Sequence, residues 1–71
     1  MSFDYSKLRG AIREKYRTQE RFASEIEMSA ASLSDKLNGK SDFTHSEIIT
    51  SCDKLNIPLE RIQDYFFCEK S

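Results

Sequence analysis

Apolar residues recur along the chain at the three- and four-residue spacing of amphipathic helices. The first such stripe predicts a helix that ends near Arg17, and its members are Tyr5, Leu8, Ile12 and Tyr16. Thr18 then suits the N-cap of a second, shorter helix, because its hydroxyl accepts a hydrogen bond from a backbone amide. The inward face of this second helix is predicted to consist of Phe22, Ala23 and Ile26.

A third helix is predicted after a short break in the apolar pattern. Ser29 is its N-cap, and the two alanines that follow favour a helix. Leu33 and Leu37 lie four positions apart and therefore share its buried face. The helix ends at Asn38 and Gly39, because glycine adopts the left-handed cap conformation at little cost.

Two more helices are predicted in the second half of the chain. Thr44 and Glu47 have the spacing of a capping box, in which each side chain bonds the backbone amide of the other residue. The apolar face of this fourth helix is predicted to be Ile48, Ile49, Cys52 and Leu55. Pro58 suits the first position of a fifth helix. The predicted packing face of that helix consists of Leu59, Ile62 and Phe66, with Tyr65 at its edge.

The whole pattern predicts a compact all-α fold of five short helices. The length of 71 residues predicts one domain over residues 1–71, because two separate cores do not fit in so short a chain.

The net charge of −1 argues against a general polyanion binder. Residues 1–40 hold eight Lys/Arg and six Asp/Glu, whereas residues 41–71 hold three and six. Any nucleic-acid surface is therefore expected in residues 1–40.

The sequence contains no pattern that predicts an enzyme, a cofactor site or a metal site. Cys52, Cys68 and His45 are too few ligands for zinc, and both cysteines are expected to be reduced. There is no catalytic constellation around a histidine and no glycine-rich phosphate loop. No segment is apolar enough to span a membrane or to serve as a secretory leader. We therefore expect a protein of the bacterial cytosol, without a small-molecule substrate and without a membrane partner.

Residues 18–39, TQERFASEIEMSAASLSDKLNG, contain two short predicted helices joined by a tight turn. Ala23 is small enough for these helices to cross closely, and Met28 is predicted to fill the space between them. With Leu33 and Leu37 turned inward, small and polar residues remain on the open side of the third helix. Such a helix enters the major groove of DNA, which is roughly 12 Å wide, without steric conflict. The segment therefore predicts a helix-turn-helix at about residues 18–39.

This segment resembles the lambda-repressor-like, or Cro and repressor type, helix-turn-helix family. The resemblance rests on an ungapped series of positions inside a five-helix frame: Gln19, Ala23, Met28, Ser29, Leu33, Leu37, Asn38 and Gly39. It extends over nearly the whole chain, whose short length is similar to that of a small phage or prophage regulator. The resemblance implies a DNA-binding domain that places its third helix in the major groove and needs no cofactor.

Two sets of DNA contacts are expected, partly from the resemblance and partly, for Arg17 and Lys36, from their position beside the motif. The positions expected to reach phosphates are Arg17, Gln19, Ser29, Lys36, Asn38 and Lys40. The positions expected to face bases are Ala30, Ala31, Ser34 and Asp35. Each of these residues also has an ordinary structural explanation, as a helix cap, a good helix former or a solvated surface residue. Both interpretations stay open at the level of the sequence.

Some positions depart from the pattern of the family. The turn position that usually holds glycine is Glu27, where a left-handed backbone costs energy. The first base-reading position, often glutamine, is Ala30, which cannot bond a base edge although its methyl group can meet a thymine methyl. Asp35 repels phosphates but can accept a hydrogen bond from cytosine N4.

The aromatic run Tyr65, Phe66 and Phe67 predicts both a core contact and a dimer contact. Successive helical residues turn by about 100°, so the three rings cannot all face inward. A ring left outside is a candidate for a homodimer interface, because aromatic residues are enriched there. A homodimer suits the recognition of palindromic half-sites about 34 Å apart.

The sequence thus predicts a sequence-specific regulator of transcription that binds double-stranded DNA. It is expected to act by occupying a palindromic operator as a homodimer. The alternative is a protein-interaction module of the same fold, which binds a repressor, an antirepressor or a toxin. The near-neutral charge, the acidic second half, Glu27 and Ala30 favour this alternative.

Overall fold

Five α-helices follow one another in the computed structural model, which describes residues 3–69. Their bounds are Ser6–Tyr16 (α1), Gln19–Glu25 (α2), Ala30–Leu37 (α3), His45–Leu55 (α4) and Ile62–Phe66 (α5). A single 3-10 turn, Leu59–Arg61, leads into α5. The β-type pairing within residues 3–69 is limited to an isolated antiparallel bridge between Phe3 and Glu69. The predicted all-helical fold with five helices is confirmed.

The predicted helix starts are set by side chains that cap backbone amides. The hydroxyls of Thr18 and Ser29 accept hydrogen bonds from the amides three residues further on, at 3.2 and 3.1 Å. Thr44 and Glu47 form the complete capping box that their spacing predicted. Gly39 has a φ of 80°, the left-handed conformation expected after α3. These local signals explain why the sequence pattern located α2, α3 and α4 correctly.

The core lies where α1, α2 and α3 meet and is closed by α4 and α5. Leu8 and Phe22 have no exposed surface, and Ala23 is 1% exposed, so α2 approaches its neighbours closely. Met28 is half-buried and packs against this core, as predicted. The remaining fully or nearly buried apolar residues are Tyr5, Ile12, Leu33, Leu37, Ile48, Cys52, Leu55, Ile57 and Phe66.

The end of the chain differs from the sequence prediction. Pro58 has an extended backbone and precedes a 3-10 turn, so the fifth α-helix begins only at Ile62. Leu59, predicted to pack inward, is 66% exposed, because Ile57 enters the core instead. The left-handed Asn56 turns the chain before Ile57 and thereby shifts which residues face inward. The predicted inward position of Ile49 is also wrong, because this side chain is 40% exposed.

The three C-terminal aromatic rings have different surroundings. Phe66 is 1% exposed and packs edge-on against Phe43, with the ring centroids 5.2 Å apart. Phe66 therefore belongs to the core and has no surface left for the dimer contact expected of it. Phe67 is 45% exposed and touches the edge of Phe3, whereas Tyr65 is half-buried. The rings available for contact with another molecule are those of Tyr65 and Phe67.

Candidate functional site

The connection between α2 and α3 is a four-residue turn with one strained position. Glu27 has a φ of 57°, which places a non-glycine residue in the left-handed region. The amide of Met28 donates to the carbonyl oxygen of Ala23 at 2.8 Å and fixes the course of the turn. The chain therefore adopts a left-handed turn at Glu27, the position for which the sequence predicted one, despite the energetic cost to glutamate.

The outward face of α3 is small and carries a carboxylate. Ala30, Ala31 and Asp35 are exposed, and Ser34 is half-buried. The hydroxyl of Ser34 accepts a hydrogen bond from Nδ2 of Asn38 at 3.3 Å, so part of its bonding capacity is used within the protein. Four predicted base-facing residues therefore lie on one helix, and their side chains offer few hydrogen-bond donors.

The one cation on α3 is held by α4 and by the loop before it. Nζ of Lys36 lies 3.1 Å from Oε1 of Glu47 and donates to the carbonyl oxygen of Asp42 at 2.8 Å. Only 13% of the Lys36 side chain is exposed. Desolvation raises the pKa of Glu47, but the Thr44 backbone hydrogen bond and the Lys36 ammonium outweigh it and lower that pKa overall. Lys36, expected to reach phosphates, is thus engaged in an internal ion pair.

Arg9 ties α1 to the end of α3, a contact that the sequence pattern did not predict. Its Nη2 atom donates to the carbonyl oxygen of Leu37 at 2.9 Å and to Oδ1 of Asn38 at 2.7 Å. Both acceptors are uncharged, so the guanidinium keeps its full positive charge. The available signal was the four-residue spacing of Arg9, Arg13 and Arg17, which predicts one helix face.

These three arginines line a single cleft of about 500 Å³ between α1 and the start of α2. Gln19, the first residue of α2, is half-buried in the same cleft. We call Arg9, Arg13 and Arg17 the arginine row. The other residues that line the cleft carry no charge, and they are Ser6, Gly10, Ile12, Thr18 and Gln19.

The backbone at the end of the arginine row is itself strained. Arg17 has a φ of 74° and a ψ of −47°. The amide of Thr18 donates to the carbonyl oxygen of Tyr16 at 2.8 Å, which closes a γ-turn around Arg17. Non-glycine residues adopt this conformation only when their surroundings impose it, and such residues cluster at functional sites.

The structure thus brings some predicted site residues together and separates others. Arg17 and Gln19 share the cleft, and Asn38 joins them through Arg9. Ser29 acts as the N-cap of α3, and its hydroxyl also lies 2.9 Å from that of Ser32. Lys40 is exposed beyond α3, with its amide bonded to the carbonyl oxygen of Asp35 at 2.8 Å.

Within residues 3–69, no three side chains of His, Cys, Asp or Glu are grouped so that they could hold a metal ion. None of the helices in this range combines the length and the apolar character that crossing a bilayer requires.

Comparison with known proteins gives a family model and a solved structure to which this chain is similar. A family model described as "Protein of unknown function (DUF739)" matches residues 1–69. The chain matches none of the curated proteins. It is similar to the solution structure of the modulator of repression (MOR) of the temperate bacteriophage TP901-1 from Lactococcus lactis. The identity is 40%, the TM-score is 0.82, and the match covers 94% of this chain and 90% of that chain.

Proposed function

We propose that this chain, which belongs to the DUF739 family, is a phage regulatory protein that modulates repression by binding a repressor protein. The regulatory role is supported by the similarity to a phage modulator of repression over 94% of the chain. The contact surface in this proposal is the outward face of α3 together with the turn before it. We place the activity in the bacterial cytosol, where a repressor meets its operator.

The observation that carries the proposal is the internal pairing of Lys36. Because its ammonium is bound to Glu47 and Asp42, the outward face of α3 has no free cation within the described chain. Proteins that place a helix in the major groove use side chains that bond base edges and phosphates. Exposed alanines and a carboxylate form few such bonds. They suit close packing against another protein.

The charge of this surface indicates which kind of protein it fits. Asp35 on α3 and Glu27 in the turn before it are both exposed. Carboxylates around small side chains complement a basic surface, and a repressor presents such a surface where it reads DNA. Binding there covers the DNA-reading surface of the repressor, so it relieves repression without any contact between this chain and bases.

The test uses the repressor encoded by the same prophage, with calorimetry for binding and a mobility-shift assay for operator occupancy. Asp35→Lys should weaken repressor binding by at least about tenfold, which corresponds to about 1.4 kcal/mol. Asp53→Lys is the matched control, because Asp53 is also exposed but lies on α4. The proposal fails when the wild-type chain neither binds the repressor nor changes its affinity for the operator.

A second candidate function is operator binding by α3 itself, as the sequence analysis predicted. It is favoured by one specific observation: Arg17 and Gln19, two of the expected phosphate contacts, line the same cleft. Arg9, which lines this cleft too, bonds a third, Asn38. In this candidate the chain is a homodimer on a palindromic operator, with Tyr65 and Phe67 in the dimer contact. Sedimentation equilibrium tests the dimer, and Phe67→Ser should convert it to a monomer.

A mobility-shift assay on the DNA upstream of the coding sequence, at two salt concentrations, discriminates the two candidates. Specific retardation that weakens with salt supports operator binding. In that case Asn38→Asp combined with Lys40→Glu should abolish the shift while the protein stays folded. Retardation that is equal on competitor DNA, together with tight binding to the repressor, supports the first candidate.

A further inference from the structure

The cations of the described chain differ in how they are neutralised. Three of them form ion pairs within residues 3–69, namely Lys36 with Glu47, Lys54 with Glu25 and Arg61 with Asp64. The arginine row forms no ion pair in this range, and the cleft that all three arginines line contains no carboxylate, whereas Asp4 lines a second cleft with Arg9. Other cations without an ion pair in this range are Lys7, Lys15, Arg21 and Lys40. The opposite side of α1, which carries Lys7 and Lys15, lines a different cleft together with Glu14. What sets the arginine row apart is that it groups three positive charges in one cleft without a carboxylate, on a nearly neutral protein.

The three arginines follow one another along the edge of α1. Arg9 and Arg13 lie about one helical turn apart, roughly 6 Å along the axis, and Arg17 lies directly after the last residue of α1. A duplex presents a continuous series of phosphates along each strand. If each guanidinium meets one phosphate, the row makes about three phosphate contacts.

The side chain of Arg9 and the backbone of Arg17 are held in place. Arg9 is fixed by Leu37 and Asn38, and both bonds use the same nitrogen, Nη2. The remaining donors of that guanidinium stay available, because arginine has five N–H groups in a fixed fork. Arg17 is held by the γ-turn at the junction of α1 and α2. A ligand therefore meets donors whose positions are already restricted.

The lining of the cleft favours phosphates over a protein partner. Protein interfaces have an apolar core, often aromatic, with a polar rim. The cleft of the arginine row contains one large apolar residue, Ile12, which is 1% exposed and therefore offers no contact area. What remains is a series of guanidinium groups with Gln19 beside it, and such side chains are typical of contacts to the phosphate backbone of DNA.

We propose that Arg9, Arg13 and Arg17 form a contact for the phosphodiester backbone of double-stranded DNA that is independent of base sequence. This contact goes beyond the first candidate function, since it does not require the repressor-binding face of α3. It deepens the second, to whose expected phosphate contact Arg17 it adds Arg9 and Arg13, and it requires no base contacts by α3. It allows a modulator of repression to remain at DNA while α3 engages a protein. Its affinity is in the range of non-specific DNA binding, with Kd of about 10⁻⁴ to 10⁻⁶ M.

The experiment titrates the ¹⁵N-labelled chain with a duplex of arbitrary sequence and follows amide shifts at several salt concentrations. Shifts are expected at the amides of residues 9–19, and the logarithm of the association constant should fall with the logarithm of salt concentration with a slope of about −3. The variant Arg13→Gln with Arg17→Gln should bind about tenfold more weakly, with a slope of about −1. The matched control is Lys7→Gln with Lys15→Gln, which removes the same charge from the same helix.

Each contrary result overturns the proposal. Equal losses in the two double variants would mean that only net charge matters. Shifts confined to α3 would place the DNA contact elsewhere, and an absence of shifts at about 50 mM salt would mean that the row does not bind DNA. A polyglutamate peptide that produces the same shifts with equal affinity would make the row a docking surface for acidic proteins instead. None of these results depends on whether the repressor binds α3.

Discussion

Arg9 and Asn38 are 29 positions apart, and a hydrogen bond of 2.7 Å joins the guanidinium of the first to Oδ1 of the second. The bond connects the middle of α1 to the end of α3, so the arginine row and α3 are parts of one rigid surface. Two chemically different ligands, a protein and a phosphate backbone, can thus be held in a fixed relation by a domain of 71 residues.

Replacing the amide of Asn38 with a carboxylate should strengthen this link. Asn38→Asp converts a neutral acceptor into a charged one, but it removes the donor to Ser34 and places a negative charge at the C-terminus of α3. The free energy of unfolding should therefore change by less than about 0.5 kcal/mol at neutral pH. The same change neutralises part of the arginine row and should weaken binding to DNA. Urea denaturation followed by circular dichroism measures the first effect, and Asn38→Ala, which should lose about 1 kcal/mol, provides the comparison. An Asn38→Asp variant that loses as much stability as Asn38→Ala would contradict the bond between Arg9 and Asn38.

The ion pair of Glu47 with Lys36 should make stability depend on pH. The pKa of Glu47 is lowered in the folded protein, so its ionised form stabilises the fold above the ordinary carboxyl pKa. That contribution is lost as the pH falls through the lowered pKa. Glu47→Gln should therefore cost about 0.5–1 kcal/mol near pH 7 and progressively less toward pH 3.

Urea denaturation at a series of pH values measures this difference. Glu60→Gln is the control, because Glu60 is exposed and forms no ion pair within residues 3–69. An effect of Glu47→Gln that stays constant over the whole pH range would show that the charge of Glu47 does not stabilise the fold.

The left-handed turn at Glu27 should be relieved by glycine. A left-handed backbone costs a non-glycine residue roughly 1–2 kcal/mol, while glycine adds about 0.5–1 kcal/mol of entropic cost. Glu27→Gly should therefore stabilise the protein by about 0.5–1 kcal/mol, measured as a higher midpoint of thermal unfolding. Glu14→Gly, inside α1, should instead lose about 1 kcal/mol. Destabilisation by both glycines would mean that the Glu27 side chain contributes more than its backbone costs.

Adjacent aromatic residues should respond very differently to truncation. Phe66→Ala removes a buried ring and should cost about 3–5 kcal/mol, enough to unfold much of so small a domain. Phe67→Ala removes a half-exposed ring and should cost less than about 1 kcal/mol. Chemical denaturation distinguishes the two variants, and comparable losses would contradict the placement of Phe66 in the core.

Much of the fold could be predicted from the sequence because its signals are local. Thr18, Ser29 and Thr44 cap helices through bonds to amides three residues away, and Gly39 ends α3 by its own conformation. The spacing of apolar residues in α1 and α3 needs only helical geometry. These features depend only on short segments of the chain, so they can be predicted without knowing which residues pack against them.

The region after α4 was predicted less well, because its conformation depends on which side chain enters the core. Ile57, not Leu59, is buried, and this exchange follows from the left-handed Asn56 and from the way α5 meets α1. Periodicity alone cannot choose between two apolar residues that are two positions apart in a turn.

Some features of the candidate site could likewise be predicted from the sequence, whereas others depend on the tertiary structure. The sequence by itself determined the two helices, the small outward residues of α3 and the four-residue spacing of the arginines, since all three are features of local order. Only the tertiary structure decided which charges are free. Lys36 meets Glu47 across α3 and α4, and Arg9 meets Asn38 across 29 residues. Pairing between residues so far apart depends on packing of the helices, which no periodicity encodes.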